Sequence, residues 1–172
     1  MPSAYIASPL GFSLATKRFY GDVLLPAVRS AGIEPLDPWS DQDAPGQFEE
    51  AFALPISDER VKALTKINRR LGKANAEMIE LADGVLAILD GVDVDSGTAA
   101  EIGFAAAKNK PIVGLRLDLR QSGDNEGTTV NLQVQHFIAS TGGGVLLATH
   151  TGDEALRTVN DAITLLAHLL GR

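Results

Sequence analysis

The stretch LAILDGVDVDSGTAAEIGFAAAKNKPIVGL, residues 86–115, decides how the chain folds. Its first part completes an apolar run, GVLAILD at 84–90, of the kind found in strands covered on both faces. Three acids follow at once: Asp90, Asp93 and Asp95. Small residues then lead into a helical segment over 98–108, and PIVGLRL at 111–117 reads as another buried strand. Two strands buried on both faces with a helix between them imply a parallel sheet.

Outward from this unit the alternation continues in both directions. AYIASPL (4–10) is a short strand ending at Pro9. A helix is expected over 13–31, with Phe19, Val23, Leu24 and Val28 along one side and Gly32 as its terminator. IEPLDP (33–38) is a second strand. The segment 39–59, WSDQDAPGQFEEAFALPISDE, reads as a long loop of the kind that often carries function. A helix over 60–81, broken near Gly72, precedes the central strand. After residue 117 come a polar loop, a helix over 131–140, a TGGGV turn at 141–145 and a last strand, GVLLAT. The terminal helix opens on Thr151 and Glu154, a capping-box spacing, and runs to Leu170. The expected architecture is one α/β domain over 1–172, with an open parallel sheet of about five strands in the order 2-1-3-4-5 and helices on both faces. In that order ligands bind at the carboxyl ends of strands 1 and 3, where SPLG and DGVDVDSGTAAE fall.

Composition narrows the function. The chain has 172 residues, is 45% hydrophobic and carries a formal net charge of −7. Nucleic-acid polymers are excluded as partners, because phosphate backbones need clustered Lys and Arg. The basic cluster KINRRLGK (66–73) reads as a solvated helix face. There are no cysteines, so there is no thiolate metal site and no Cys nucleophile. MPSAYIASPL has no charged leader pattern, and no run approaches roughly 18 apolar residues, so a soluble cytoplasmic protein is expected.

Several chemistries fail on pattern. ASPLGFS lacks the Gly-x-Gly-x-x-Gly of dinucleotide sites, and no phosphate loop of the Gly-Lys-Ser/Thr type exists. His136, His150 and His168 have no second ligand at suitable spacing, so neither a metal nor a cofactor is expected. No Gly-x-Ser-x-Gly elbow is present. The carboxylates remain. Thr98 and Glu101 fit Thr-x-x-Glu, which by itself is a helix capping box. Three features favour chemistry. A carboxylate at a helix N-terminus is kept ionised by the helix dipole. Its small neighbours Gly97, Ala99, Ala100 and Gly103 leave room for a ligand, and Asp95 can converge on the same place. An ionised carboxylate in a semi-apolar pocket is suited to attack an anomeric carbon, whose transition state is oxocarbenium-like.

YIASPL at the start, NAEMIELADGVLAILDG in the middle, DSGTAAEIGFAAAKNKPIVGL after it and NLQV near the end together resemble the nucleoside 2-deoxyribosyltransferases. The blocks keep the family's order over roughly residues 4–135, and Asp-x-Gly-Thr-x-x-Glu-x-Gly is the most specific of them. The resemblance implies a flavodoxin-like fold and exchange of the base on a 2'-deoxynucleoside through a covalent deoxyribosyl-glutamate. It implies Glu101 as nucleophile, Tyr5 as the group that orients it, and Asp95 on a sugar hydroxyl with Gly97 and Ser8 beside the substrate. Asn131 would reach the sugar's 5' end in a neighbouring subunit's site, with Gln133 also among the substrate-binding residues, so a homo-oligomer with shared sites is implied. The partners would be a small nucleoside and a free nucleobase, with no cofactor. Asn75 stands where some members have an aspartate that helps protonate the base, and an amide does not readily supply that proton. Gln133 stands where some have methionine. Residue by residue, plainer readings stay open: Tyr5 as a core aromatic, Asn131 as a helix cap, Asp83 as a structural acid, and Trp39 and Phe48 as either base-stacking rings or loop packing. Two rivals share the frame. One is an N-glycosidase that lets water take the sugar, gripping a 5'-phosphate with Ser8, Ser13, Lys17 and Arg18. The other is a non-catalytic nucleotide sensor, which has no need of both Tyr5 and Glu101.

Overall fold

Three apolar runs buried on both faces form the centre of a five-stranded sheet, and two shorter, partly exposed strands flank them. The computed structural model describes residues 1–172. The strands are β1 (Ser3–Ala7), β2 (Glu34–Leu36), β3 (Gly84–Ile88), β4 (Ile112–Arg116) and β5 (Val145–Leu147). They form one parallel sheet in the order β2-β1-β3-β4-β5, as the sequence implies. Alternate side chains feed two cores. Ala4, Ile6, Leu86, Ile88, Val113 and Leu115 face one cluster, while Tyr5, Ala7, Val85, Ala87, Leu89 and Ile112 face the other. Each fully buried Leu or Ile contributes about 1.5–3 kcal/mol relative to exposure.

The helices are α1 (Leu14–Phe19), α2 (Leu25–Ser30), α3 (Ala44–Ala53), α4 (Asp58–Leu81), α5 (Ser96–Ala107), α6 (Leu132–Ser140) and α7 (Asp153–Leu169). The helix expected over 13–31 is not uniform. A wide π-turn at Tyr20–Leu24 joins α1 to α2, and the Leu25 N–H bonds to the Tyr20 carbonyl five residues back. Pro26, which has no N–H to donate, follows directly. The turn rotates the apolar stripe. Tyr20, Leu24, Leu25 and Val28 are buried, whereas Val23 is 36% exposed.

Segment 39–59 is not a structureless loop, because it contains α3. The Asp41 carboxylate accepts the N–H groups of Asp43 and Ala44 and starts the helix, and Pro45 fits a first-turn position. α4 runs through Gly72 unbroken, capped by the Ser57 hydroxyl on the Arg60 N–H. Lys66, Arg69, Arg70 and Lys73 lie on its exposed side. The cap of α7 also differs from expectation. Its N-cap is Gly152, and Glu154 instead reaches back to the N–H groups of Thr149 and His150. No helix is long and apolar enough to cross a membrane.

Candidate active site

The three acids after β3 separate into different tasks. Asp90 accepts the N–H groups of Leu117 and Asp118 at 2.6 and 3.0 Å, tying the end of β3 to the end of β4. Burial pushes its carboxyl above the ordinary range, against those two hydrogen bonds. Asp93 accepts only the neighbouring Val94 N–H. Asp95 caps α5: its Oδ2 accepts the Thr98 N–H at 3.0 Å and the Thr98 hydroxyl at 3.4 Å.

That cap overturns the capping-box reading of Thr98 and Glu101. The helix begins at Ser96, so Thr98 is buried in its first turn and Glu101 lies one turn further in. Glu101 is therefore free for another partner. Tyr5, fully buried on β1, donates its hydroxyl to Glu101 Oε1 at 2.6 Å. Asn75 on α4 donates its amide to the same oxygen at 3.5 Å. Oε2 has no protein donor. Strand β1 and helices α4 and α5 thus bring Tyr5, Asn75 and Glu101 to one point, 96 and 26 residues apart in sequence.

The helix dipole does not dominate the electrostatics there. Burial pushes the Glu101 carboxyl above the usual carboxylate range, and the nearby Asp95 charge adds to the rise. The hydrogen bonds from Tyr5 and Asn75 oppose it. The reason is position: a dipole acts within the first turn, and Glu101 lies beyond it. The Tyr5 phenol is driven far up by burial and by the adjacent carboxylate, so it stays a hydrogen-bond donor.

The remaining expected residues have local partners. Ser8 is buried, its hydroxyl accepting the Leu10 N–H at 3.1 Å. Gly97 lies exposed in the first turn of α5, where a Cβ would stand 3.1 Å from Asp95 Oδ2. Asn131 caps α6 through the N–H groups of Gln133 and Val134, and Gln133 is exposed. Neither is hydrogen-bonded to the Tyr5–Asn75–Glu101 set. Asp83 binds the N–H and hydroxyl of Ser3 at the other end of the sheet. Phe48 stacks on Phe52 along α3.

Three residues escape sequence reasoning. Tyr20 donates to Asp37 Oδ1 at 2.6 Å just past β2. Arg116 is fully buried on β4 and donates to the carbonyls of Leu89, Gly91 and Arg120. With Asp118 on the Gly91 N–H, it holds Gly91 at φ 127°, a conformation that favours glycine. A charged residue inside the apolar run PIVGLRL, and an acid closing IEPLDP, are the signals that mark them. Two concavities lie away from Glu101. One, of about 370 Å³, sits over β4 and β5 between Arg116, Thr128 and Thr149; the other, of about 750 Å³, lies between α3 and α4.

Comparison with known proteins bears on the family and the fold. Residues 4–133 match the family model described as nucleoside 2-deoxyribosyltransferase. No curated protein matches the sequence. Among solved structures, a conserved protein from Enterococcus faecalis V583 superposes with a TM-score of 0.61 at 23% identity, covering 98% of each chain. The 2-desoxiribosyltransferase of Leishmania mexicana gives 0.54 at 22% identity, covering 78% of this chain and 85% of its own. A CMP N-glycosidase from Clostridium botulinum gives 0.52 at 19% identity, over 86% and 89%. At such identities these likenesses speak for the fold, and the family match over most of the chain carries the assignment: the protein belongs to the nucleoside 2-deoxyribosyltransferase family.

Proposed function

We propose that the protein exchanges the base of 2'-deoxyribonucleosides by double displacement on Glu101. The observation that carries this reading is the Tyr5–Glu101 hydrogen bond of 2.6 Å, with Asn75 on the same oxygen and Oε2 left free. Oε2 attacks C1' as the bond from C1' to the base nitrogen breaks. The bonding pair leaves with the base, which takes a proton from water, since the Asn75 amide is too weak an acid to supply one. Tyr5 and Asn75 hold Oε1 and share the carboxylate's charge before attack. A second base then donates a ring-nitrogen pair to C1', the bond from C1' to Oε2 breaks, and the incoming nitrogen's proton passes to solvent. Two inversions give net retention.

Asp95, whose Oδ1 has no protein donor, accepts a sugar hydroxyl in this reading, and Gly97 lets the sugar approach. Asn131 and Gln133 stand at the start of α6 with no hydrogen bond to Glu101 of their own chain, which suits service to a neighbouring subunit in a homo-oligomer. The region after β1 suits a nucleoside better than a 5'-monophosphate. The Ser8 hydroxyl is buried and engaged, and Lys17 and Arg18 are exposed on α1.

The test is base exchange: 2'-deoxyuridine or 2'-deoxyinosine with free adenine, followed chromatographically, with Glu101→Ala as control. Formation of 2'-deoxyadenosine by the wild type alone is the expected result. Release of base at a rate independent of adenine, with no new nucleoside, makes the protein a hydrolase like its Clostridium neighbour. No reaction with nucleosides or their 5'-monophosphates removes the catalytic reading of Glu101.

A further inference from the structure

A second phenol–carboxylate pair stands beside the first. The buried Tyr20 donates to Asp37 Oδ1 at 2.6 Å, the length of the Tyr5–Glu101 bond. Asp37 directly follows Leu36, which is the register partner of Tyr5. Its charge is among the causes that drive the Tyr5 phenol up, so the carboxylate lies within electrostatic reach of Tyr5. The same Oδ1 accepts the main-chain N–H of Trp39 at 2.9 Å. Trp39 in turn donates its indole N–H to the Ser8 carbonyl at 3.2 Å, just past the end of β1. Gly11 lies against the indole so closely that a Cβ there would stand 2.2 Å from Trp39 Cδ2. Phe12 meets the ring edge-on with centroids 4.5 Å apart, and is itself 79% exposed. The indole is therefore fixed at its main chain, its ring nitrogen and one face, and the chemistry on Glu101 makes no use of Asp37.

We propose that Asp37 is a positioning residue for the nucleobase: with Tyr20 it anchors Trp39 as the aromatic wall on which leaving and incoming bases stack. This inference rests on the base-exchange reading. On this proposal the sugar held by Asp95 lies on the β3 side and the base on the β1–β2 side, where Trp39, partly buried against the core, and the exposed Phe12 stand. An indole face binds bases without reading their hydrogen-bond pattern, which suits a site that must accept two different bases in turn.

Trp39 is the one tryptophan of the chain, so tryptophan emission reports this indole alone. The experiment titrates free adenine into wild type, Asp37→Asn, Asp37→Ala and Gly11→Ala while following that emission. It also measures KM for adenine and kcat in base exchange. Adenine should quench the wild type. Asp37→Ala, which frees the indole, and Gly11→Ala, which pushes it from the other face, should both shift the resting emission. Each should raise the Kd and KM for adenine about tenfold, the worth of one hydrogen bond. Their kcat should stay within about threefold, as expected when binding rather than chemistry is lost. Asp37→Asn keeps an acceptor oxygen and should restore most of the affinity. Wild-type emission and adenine KM in Asp37→Ala would overturn the proposal. So would exchange by the wild type with no change in Trp39 emission, which would leave the base-exchange reading standing. Quenching without exchange would sink that reading and keep Asp37 and Trp39 as a base-binding pair.

Discussion

Glu101 is buried enough for its carboxyl to rise, yet the proposed attack needs it ionised, and Tyr5 and Asn75 are the two groups that donate hydrogen bonds to its charge. The acid limb of kcat/KM in the free enzyme reports that balance. Tyr5→Phe removes a donor to the charged form, so the limb should move to higher pH. The neutral-pH rate should fall by about one to two orders of magnitude, the worth of a hydrogen bond to a charged group. Asp95→Asn removes a like charge, so the limb should move to lower pH while KM for the nucleoside rises. A pH–rate series on both variants reads the two opposite shifts. The same balance affects stability. A carboxyl whose pKa is raised by folding contributes stability below its unfolded pKa and loses it as pH climbs through the folded value. Glu101→Gln should therefore be inactive, yet melt at a higher temperature than wild type near neutrality. That gain should vanish at about pH 4, where the unfolded side chain also protonates. Equal melting temperatures at neutral pH would contradict the burial argument.

At the scale of elements, α5 and the turn before it position the site. Asp95 starts the helix, which leaves Glu101 free of capping duty. Asp95→Ala should cost about 1 kcal/mol, the usual worth of an N-cap, while Asp95→Asn costs little. Urea unfolding of the two variants checks this, and equal destabilisation would mean that charge rather than capping matters. The elements were legible to different degrees. β3, α5 and β4 follow from two apolar runs around a helical segment. The helix α3 did not, because Pro45 and Gly46 read as loop residues, although proline suits a helix's first turn. The dipole argument failed because the helix starts at Ser96 rather than at Thr98, a boundary set by the Asp95 side chain. Asp37 and Tyr20 were missed because only the wide π-turn and the β1–β2 pairing bring them together.

For the whole molecule, strand order was legible because alternating strands and helices allow few arrangements of an open parallel sheet. The sheet's two cores carry stability and its carboxyl edge carries the candidate site. Leu86→Ala and Leu115→Ala, both fully buried on the face away from Tyr5, should each cost about 2–5 kcal/mol in urea unfolding. Exchange by the fraction that stays folded should change little. A large loss of turnover at unchanged fold would mean that the two faces are coupled. The proposed exchange depends on a bond between the sugar and one side chain, and intact-protein mass spectrometry reads that bond. The wild type is mixed with 2'-deoxyinosine in the absence of acceptor base, quenched in acid and weighed, with Glu101→Gln in parallel. We expect a wild-type species heavier by one deoxyribosyl group, mapped by peptide digestion to Glu101 and cleared when adenine is added before the quench. A base-exchanging wild type that never gains that mass, or gains it on another residue, would contradict it.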